Sequence, residues 1–186
     1  MPSAENSRRI EILSERDLRK TLVRLATQVL EGVDDSGRLM LLGIPTRGVQ
    51  LSRVLALELE RLTGHAIAQG SIDPTFHRDD LERIGTRLPQ LTQLPNNVEG
   101  RQVVLVDDVI FTGRTVRAAL EALQGWGRAE RVMLLALIDR GHRELPIQPD
   151  FCGRVVPTRR SETIELRLRD VDGEEGVFLT SLKRQP

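Results

Sequence analysis

The chain has no tyrosine, one tryptophan, one cysteine and two lysines among its 186 residues. Each shortage closes off a class of protein. With Cys152 alone no internal disulfide can form, which excludes a disulfide-stapled secreted scaffold and points to the cytoplasm. No apolar run reaches the roughly 20 residues that a spanning helix needs, and Met1 to Glu15 lacks the apolar core of a signal peptide, so no membrane partner is expected. A nucleoside-triphosphatase loop, G-x-x-x-x-G-K-[ST], requires a lysine; Gly43 and Gly48 have its glycine spacing, but Val49 and Gln50 follow. A receiver domain requires a lysine downstream of its acids, and Lys183 in the tail does not suit. An excess of either charge is missing too: basic and acidic residues number 27 each, so nucleic-acid binding would need a local patch. Arginine makes up 25 of the basic residues, a fork that suits phosphate and carboxylate, although a high-GC genome gives the same bias. The length fits one domain, 1–186, with a small insertion, burying about 70% of its unfolded surface.

What is present is concentrated in one run, Val103-Val104-Leu105-Val106-Asp107-Asp108-Val109-Ile110-Phe111-Thr112-Gly113-Arg114-Thr115. Four apolar β-formers read as a buried strand, two carboxylates stand at its carboxyl end, and a Thr-Gly-Arg-Thr turn opens a helix from Val116 to about Gln124. Ligands bind at the carboxyl ends of strands in open α/β sheets, and helix N-termini bind phosphate. One segment therefore offers acceptors for sugar hydroxyls beside a phosphate cradle, and Gly113 lets backbone come close to the phosphate. A solvated acidic turn with no ligand is the plain alternative.

This run resembles the phosphoribosyl pyrophosphate (PRPP) motif of the type I phosphoribosyltransferases. The resemblance implies that Asp107 and Asp108 hold the ribose hydroxyls and that Thr112, Gly113, Arg114 and Thr115 wrap the 5′-phosphate. It implies Mg²⁺ carried by PRPP and water, with no direct protein ligand. Gly43-Ile44-Pro45-Thr46-Arg47-Gly48, by itself an ordinary strand-to-helix turn, matches the family's pyrophosphate loop, with Thr46 and Arg47 on the leaving group. That loop is often cis in the family, which a sequence cannot show.

The rest of the chain alternates strand and helix. Ser14-Glu15-Arg16-Asp17 is a capping box, and Leu18, Leu22, Leu25, Val29 and Leu30 share one helical face. Leu39 to Ile44, Ala66 to Ile72, Arg131 to Ile138, Thr163 to Arg169 and Gly176 to Leu182 read as strands. The expected architecture is α/β, the type I phosphoribosyltransferase fold, with a mostly parallel central sheet flanked by helices and a flexible lid or hood over about 73–100. Arg78 and Arg87 in that segment are candidate pyrophosphate cations, and fit solvated loop charges equally well. His77 reads as a surface residue.

Asp139-Arg140-Gly141-His142-Arg143-Glu144-Leu145-Pro146, the Arg78-Asp79-Asp80-Leu81 segment and Val156 to Glu162 resemble one branch closely, the pyrimidine-operon regulators that are also uracil phosphoribosyltransferases. This likeness runs from about Ile12 to Leu179. It implies transfer from PRPP to uracil, giving UMP and pyrophosphate, with the base met by backbone near Asp139, Arg140 and Ile164. His142 is a general base by type, and more plausible as a structural loop residue. The branch also implies operon leader RNA as a partner, modulated by uridine nucleotides, and a homo-oligomer. Arg19, Arg24 and Arg160 are the named RNA candidates, on a basic surface expected away from the active site, beside Arg16, Lys20, Arg154 and Arg159. Interleaved acids such as Glu15, Asp17 and Glu31 fit a solvated helix face instead. The chain departs from RNA-binding members at Val23, Thr27, Gly32 and His77. A salvage enzyme without RNA binding, and an attenuator with little catalysis, both stay open.

Overall fold

The computed structural model describes residues 7–77, 92–95 and 97–182. Five parallel strands form the main sheet: β2 (Leu39–Gly43), β3 (Ala68–Ser71), β4 (Gln102–Ile110), β5 (Arg131–Asp139) and β6 (Phe151–Val155), in the order β3-β2-β4-β5-β6. The helices are α1 (Glu15–Gly32), α2 (Arg47–Thr63) and α3 (Arg114–Leu123). The strands alternate between two cores. Leu39, Leu41, Val104, Val106, Met133 and Leu135 join α1 and α2 residues on one face, and Met40, Leu42, Val103, Leu105, Leu134 and Ala136 join α3 residues on the other. Both faces being covered is why the three central strands, β2, β4 and β5, read as apolar runs.

Local rules hold where they were expected. Ser14 accepts the Asp17 amide at 3.2 Å and caps α1, and Leu18, Leu22, Leu25 and Val29 are buried. Gly64 ends α2 at φ 78°, a conformation natural to glycine.

The expected parallel central sheet is present, and the structure adds an element that the sequence reading did not foresee. A second, antiparallel sheet of order β1-β8-β7 joins the two ends of the described chain: β1 (Ser7–Leu13), β7 (Glu162–Arg167) and β8 (Gly176–Leu182). A short helix, α4 (Arg169–Asp172), links β7 to β8. β1 escapes notice because its sequence, Ser-Arg-Arg-Ile-Glu-Ile-Leu, breaks its apolar residues with charges and depends on β8 for its partner.

The strand order places the site. From β2 the chain moves outward to β3, and from β4 it moves the other way to β5. The loops after β2 and β4 therefore open on opposite sides of one crevice, the switch point at which such sheets bind ligands.

Candidate active site

Two loops flank that crevice. The first joins β2 to α2, and its Pro45–Thr46 peptide is cis. It lies hard against β4: Ile44 N–H donates to Val106 O at 2.9 Å, and a Cβ on Gly48 would stand 2.3 Å from that same oxygen. Glycine at 48 is thus a packing requirement. Arg47, in the first turn of α2, reaches Gln50 Oε1 at 3.3 Å and Asp172 Oδ1 at 2.6 Å.

The second loop follows β4. Asp107 is buried and accepts the Asp108 amide at 3.0 Å. Burial pushes the Asp108 carboxyl up, while its contact with Asp107, backbone amides and the nearby charge of Arg47 pull against it. Gly113 sits at φ 90°, in the left-handed region, and starts α3. The Arg114 amide donates to Thr112 Oγ1 at 3.4 Å, and the Arg114 Nε to Glu144 Oε2 at 3.0 Å.

The segment after β5 folds over this turn. Glu144 and Leu145 amides donate to Thr112 O at 3.0 and 3.2 Å. Arg143 is the clamp. It donates to Phe111 O at 2.8 Å, Ile147 O at 2.8 Å and Asp139 Oδ2 at 2.6 Å. Arg140 is buried, stacks 4.2 Å from the Phe111 ring centroid, and donates to Thr158 Oγ1 and Arg159 O. Burial pushes its guanidinium below the ordinary arginine value. His142, at φ 63°, packs its ring edge-on to Phe111 and bonds Thr158 O through Nε2 at 2.6 Å. A carbonyl accepts, so Nε2 carries the proton, and His142 holds the loop.

The structure places the remaining candidate site residues as follows. Val103, Val104, Leu105 and Val106 belong to the motif and are sealed in the cores, where their side chains build the strand. Ile110 is likewise buried, while Val109 and Phe111 are half-buried. Thr115 lies half-buried in the first turn of α3. Asp139 turns inward: Oδ1 accepts the Gly141 amide, Oδ2 takes Arg143, and its carbonyl accepts Val156 N–H at 2.8 Å. The Arg140 amide is spent on Ile110 O at 3.1 Å. Ile164 pairs with Leu179 in the second sheet and is buried in the α1-side core. Arg78 and Arg87 lie outside the described residues, as does most of the 73–100 segment. Within it, Gln93 pairs with Ser71 at the end of β3 through backbone bonds at 2.8 and 3.0 Å.

The arginines named for RNA are all engaged. Arg19 pairs with Glu15 at 2.7 Å and Glu175 at 3.3 Å. Arg24 donates to the carbonyls of Gly153 and Cys152 on β6. Arg160 pairs with Glu144 at 3.2 Å, which places it at the rim of the crevice and not on a face away from it. The sequence reading missed Asp172 altogether, since nothing local marks it. It also missed the clamping role of Arg143 and Glu144, although their block had drawn notice as a unit.

The pattern of the phosphoribosyl transferase domain family matches residues 10–159. The "Bifunctional protein PyrR" of Thermosynechococcus vestitus is 54% identical over 171 residues, covering 91% of this chain and 93% of that protein. The protein of the same name from Leifsonia xyli subsp. xyli is 46% identical over 173 residues, covering 90% and 94%. The chain belongs to the PyrR family of phosphoribosyltransferases. Among solved structures, a hypoxanthine phosphoribosyltransferase from Staphylococcus aureus matches with a TM-score of 0.69 at 17% identity, covering 94% of this chain and 93% of that one. That likeness carries the fold and no more. In this chain the block after β5 braces the turn that follows β4.

Proposed function

We propose that the protein transfers the 5-phosphoribosyl group of PRPP to uracil, yielding UMP and pyrophosphate, and regulates pyrimidine-operon transcription through leader RNA. The observation that carries the catalytic half is the Asp107–Asp108 pair at the switch point, beside a Gly113 turn braced by Arg143 and Glu144. Asp107 and Asp108 accept the ribose 2′- and 3′-hydroxyls. Amides of the 112–115 turn and the N-terminus of α3 take the 5′-phosphate. Thr46 and Arg47 face the pyrophosphate across the crevice, and Arg78 and Arg87 are further candidates for it.

In the reaction the bond from ribose C1′ to the pyrophosphate oxygen breaks, the uracil N1–C1′ bond forms, and N1 loses its proton. The ribosyl group passes through an oxocarbenium-like state, so holding N1 against C1′ and keeping water out supply much of the rate. Mg²⁺ bound to PRPP supplies charge neutralisation at the leaving group. Among the described residues no three His, Cys, Asp or Glu side chains converge as a metal site. The Asp107–Asp108 pair offers hard oxygens that would hold this ion through water, as Mg²⁺ prefers. The base is proposed to lie near Asp139, Arg140 and Ile164, approached through backbone, since the Asp139 carboxylate is already committed.

Mixing uracil, PRPP and Mg²⁺ should release pyrophosphate and UMP; no release with uracil, or faster release with hypoxanthine, would overturn the assignment. For the regulatory half, filter binding to a pyrimidine-operon leader hairpin should tighten with UMP and weaken steeply with salt. Binding no better than to a scrambled hairpin would leave a salvage enzyme. A homo-oligomer in the cytoplasm is part of the same proposal, and sedimentation at working concentration tests the assembly. No helix among the described residues is long and apolar enough to cross a membrane.

A further inference from the structure

Arg47 is the charged residue of the first crevice loop, and it does not stand alone there. Its Nη2 donates to Asp172 Oδ1 at 2.6 Å, across 125 residues of chain. Asp172 is the fixed member of the pair. Its other oxygen accepts the Leu168 amide at 2.8 Å, closing α4, and Arg167 approaches Oδ1 at 3.4 Å. Its side chain is 6% exposed, against 25% for Arg47. Burial pushes the Asp172 carboxyl up, yet the Leu168 amide and the Arg47 and Arg167 guanidiniums outweigh that and hold it below the ordinary carboxylate value. On the far side, the Arg47 charge reaches the Asp108 carboxyl.

We infer that Asp172, on the helix linking the strands of the second sheet, is a positioning residue that fixes the Arg47 guanidinium in the crevice for the pyrophosphate of PRPP. The reasons are geometric. An arginine side chain is long and has many rotamers, so an unanchored Arg47 would have to be ordered each time substrate binds. Asp172 holds one edge of the fork against a carboxylate that is itself tied to backbone and cannot swing away. The guanidinium has five N–H donors, and the Gln50 and Asp172 contacts engage one edge of that set. The remaining donors can meet a phosphate without breaking the pair. The inference also gives the second sheet a task in the reaction: through α4 it sets the charge of a loop on the main sheet.

This rests on the proposed role of Arg47, and the test separates the two. In the full chain, PRPP KM, kcat and pyrophosphate product inhibition are measured for Asp172→Asn, Arg47→Ala and the double variant. Asp172→Asn should raise the PRPP KM and the pyrophosphate Ki by about tenfold, with kcat at saturating PRPP changed by no more than about twofold. Arg47→Ala should cost at least as much, and the double variant should be no worse than Arg47→Ala. Asp172→Glu, which keeps the charge, should recover most of the loss and keeps the test open if Asp172→Asn folds poorly. A lower PRPP KM in Asp172→Asn would mean that Asp172 competes with pyrophosphate, and would overturn the inference. So would a loss that adds in full to that of Arg47→Ala, an Asp172→Glu as impaired as Asp172→Asn, or an unchanged Asp172→Asn beside an impaired Arg47→Ala. Unchanged pyrophosphate inhibition in Arg47→Ala would instead overturn the proposed role of Arg47 itself.

Discussion

The two loops that flank the crevice are held by different means. The turn after β4 is braced by neighbours close in the fold: Arg143 on Phe111 O, two amides on Thr112 O, and Glu144 on Arg114. The loop after β2 is held at its base by tight backbone packing, with Gly48 against Val106 O, and at its charged tip by one ion pair to a distant helix. The turn after β4 is rigid because several hydrogen bonds, two of them backbone to backbone, hold it at once. A guanidinium is placed only as well as its partner is placed. The crevice thus joins a preorganised half to a half whose charge depends on tertiary assembly, and substitutions in the two should fail differently.

The largest effect is expected from the acids that both halves face. Asp108→Asn should lower kcat/KM for PRPP by about two to three orders of magnitude, read from initial rates. It should also stabilise the ligand-free protein at neutral pH by about 1 kcal/mol, or roughly 3 °C in Tm. The sign follows from burial raising the folded-state value of Asp108. The native state favours the protonated acid, so its stabilising contribution is complete below the unfolded value near about pH 3.9 and is lost as pH rises through the folded value. The advantage of the variant in melting should therefore vanish in acid.

Next come the glycines, which separate packing from conformation. Gly48→Ala puts a Cβ into Val106 O and should cost about 3 kcal/mol with loss of activity. Gly113→Ala meets only ordinary contacts at 3.5 Å, so its cost comes from φ 90° and should be about 1–2 kcal/mol, with PRPP affinity reduced. Equal costs in denaturant unfolding would erase the distinction between the loops.

Arg143→Gln leaves the half-buried Asp139 carboxylate without its ion pair and should cost about 2–3 kcal/mol while loosening the phosphate turn. The smallest effect is expected at Arg19, whose acidic partners hold its guanidinium above the ordinary arginine value mainly through the Glu175 contact. Arg19→Ala on this exposed face should leave thermal stability and uracil turnover unchanged, and any change would appear in RNA affinity alone.

Much of the site was legible because its signals are local. The capping box at Ser14 needs only Asp17 three residues on, and the Val103 to Thr115 run contains strand, acids, turn and helix start in contact order. The central parallel strands β2, β4 and β5 declared themselves because burial on both faces removes polar residues from them, whereas the edge strand β6, Phe-Cys-Gly-Arg-Val, did not. Other contacts carried no such signal. The Asp139 carboxylate is taken by Gly141 and Arg143, and the exposed Arg24 reaches carbonyls on β6, and nothing local in the sequence marks either.

The sequence by itself determined the three helices, the central strands, the two-faced core and the turn after β4, because periodicity, capping and glycine geometry act within a few residues. Only the tertiary structure decided that Ser7–Leu13 is a strand, that Arg160 stands at the crevice rim, and that Asp172 meets Arg47. Those facts depend on which distant segments share a sheet edge or a buried charge, and pairing energies of that kind leave no period in the chain.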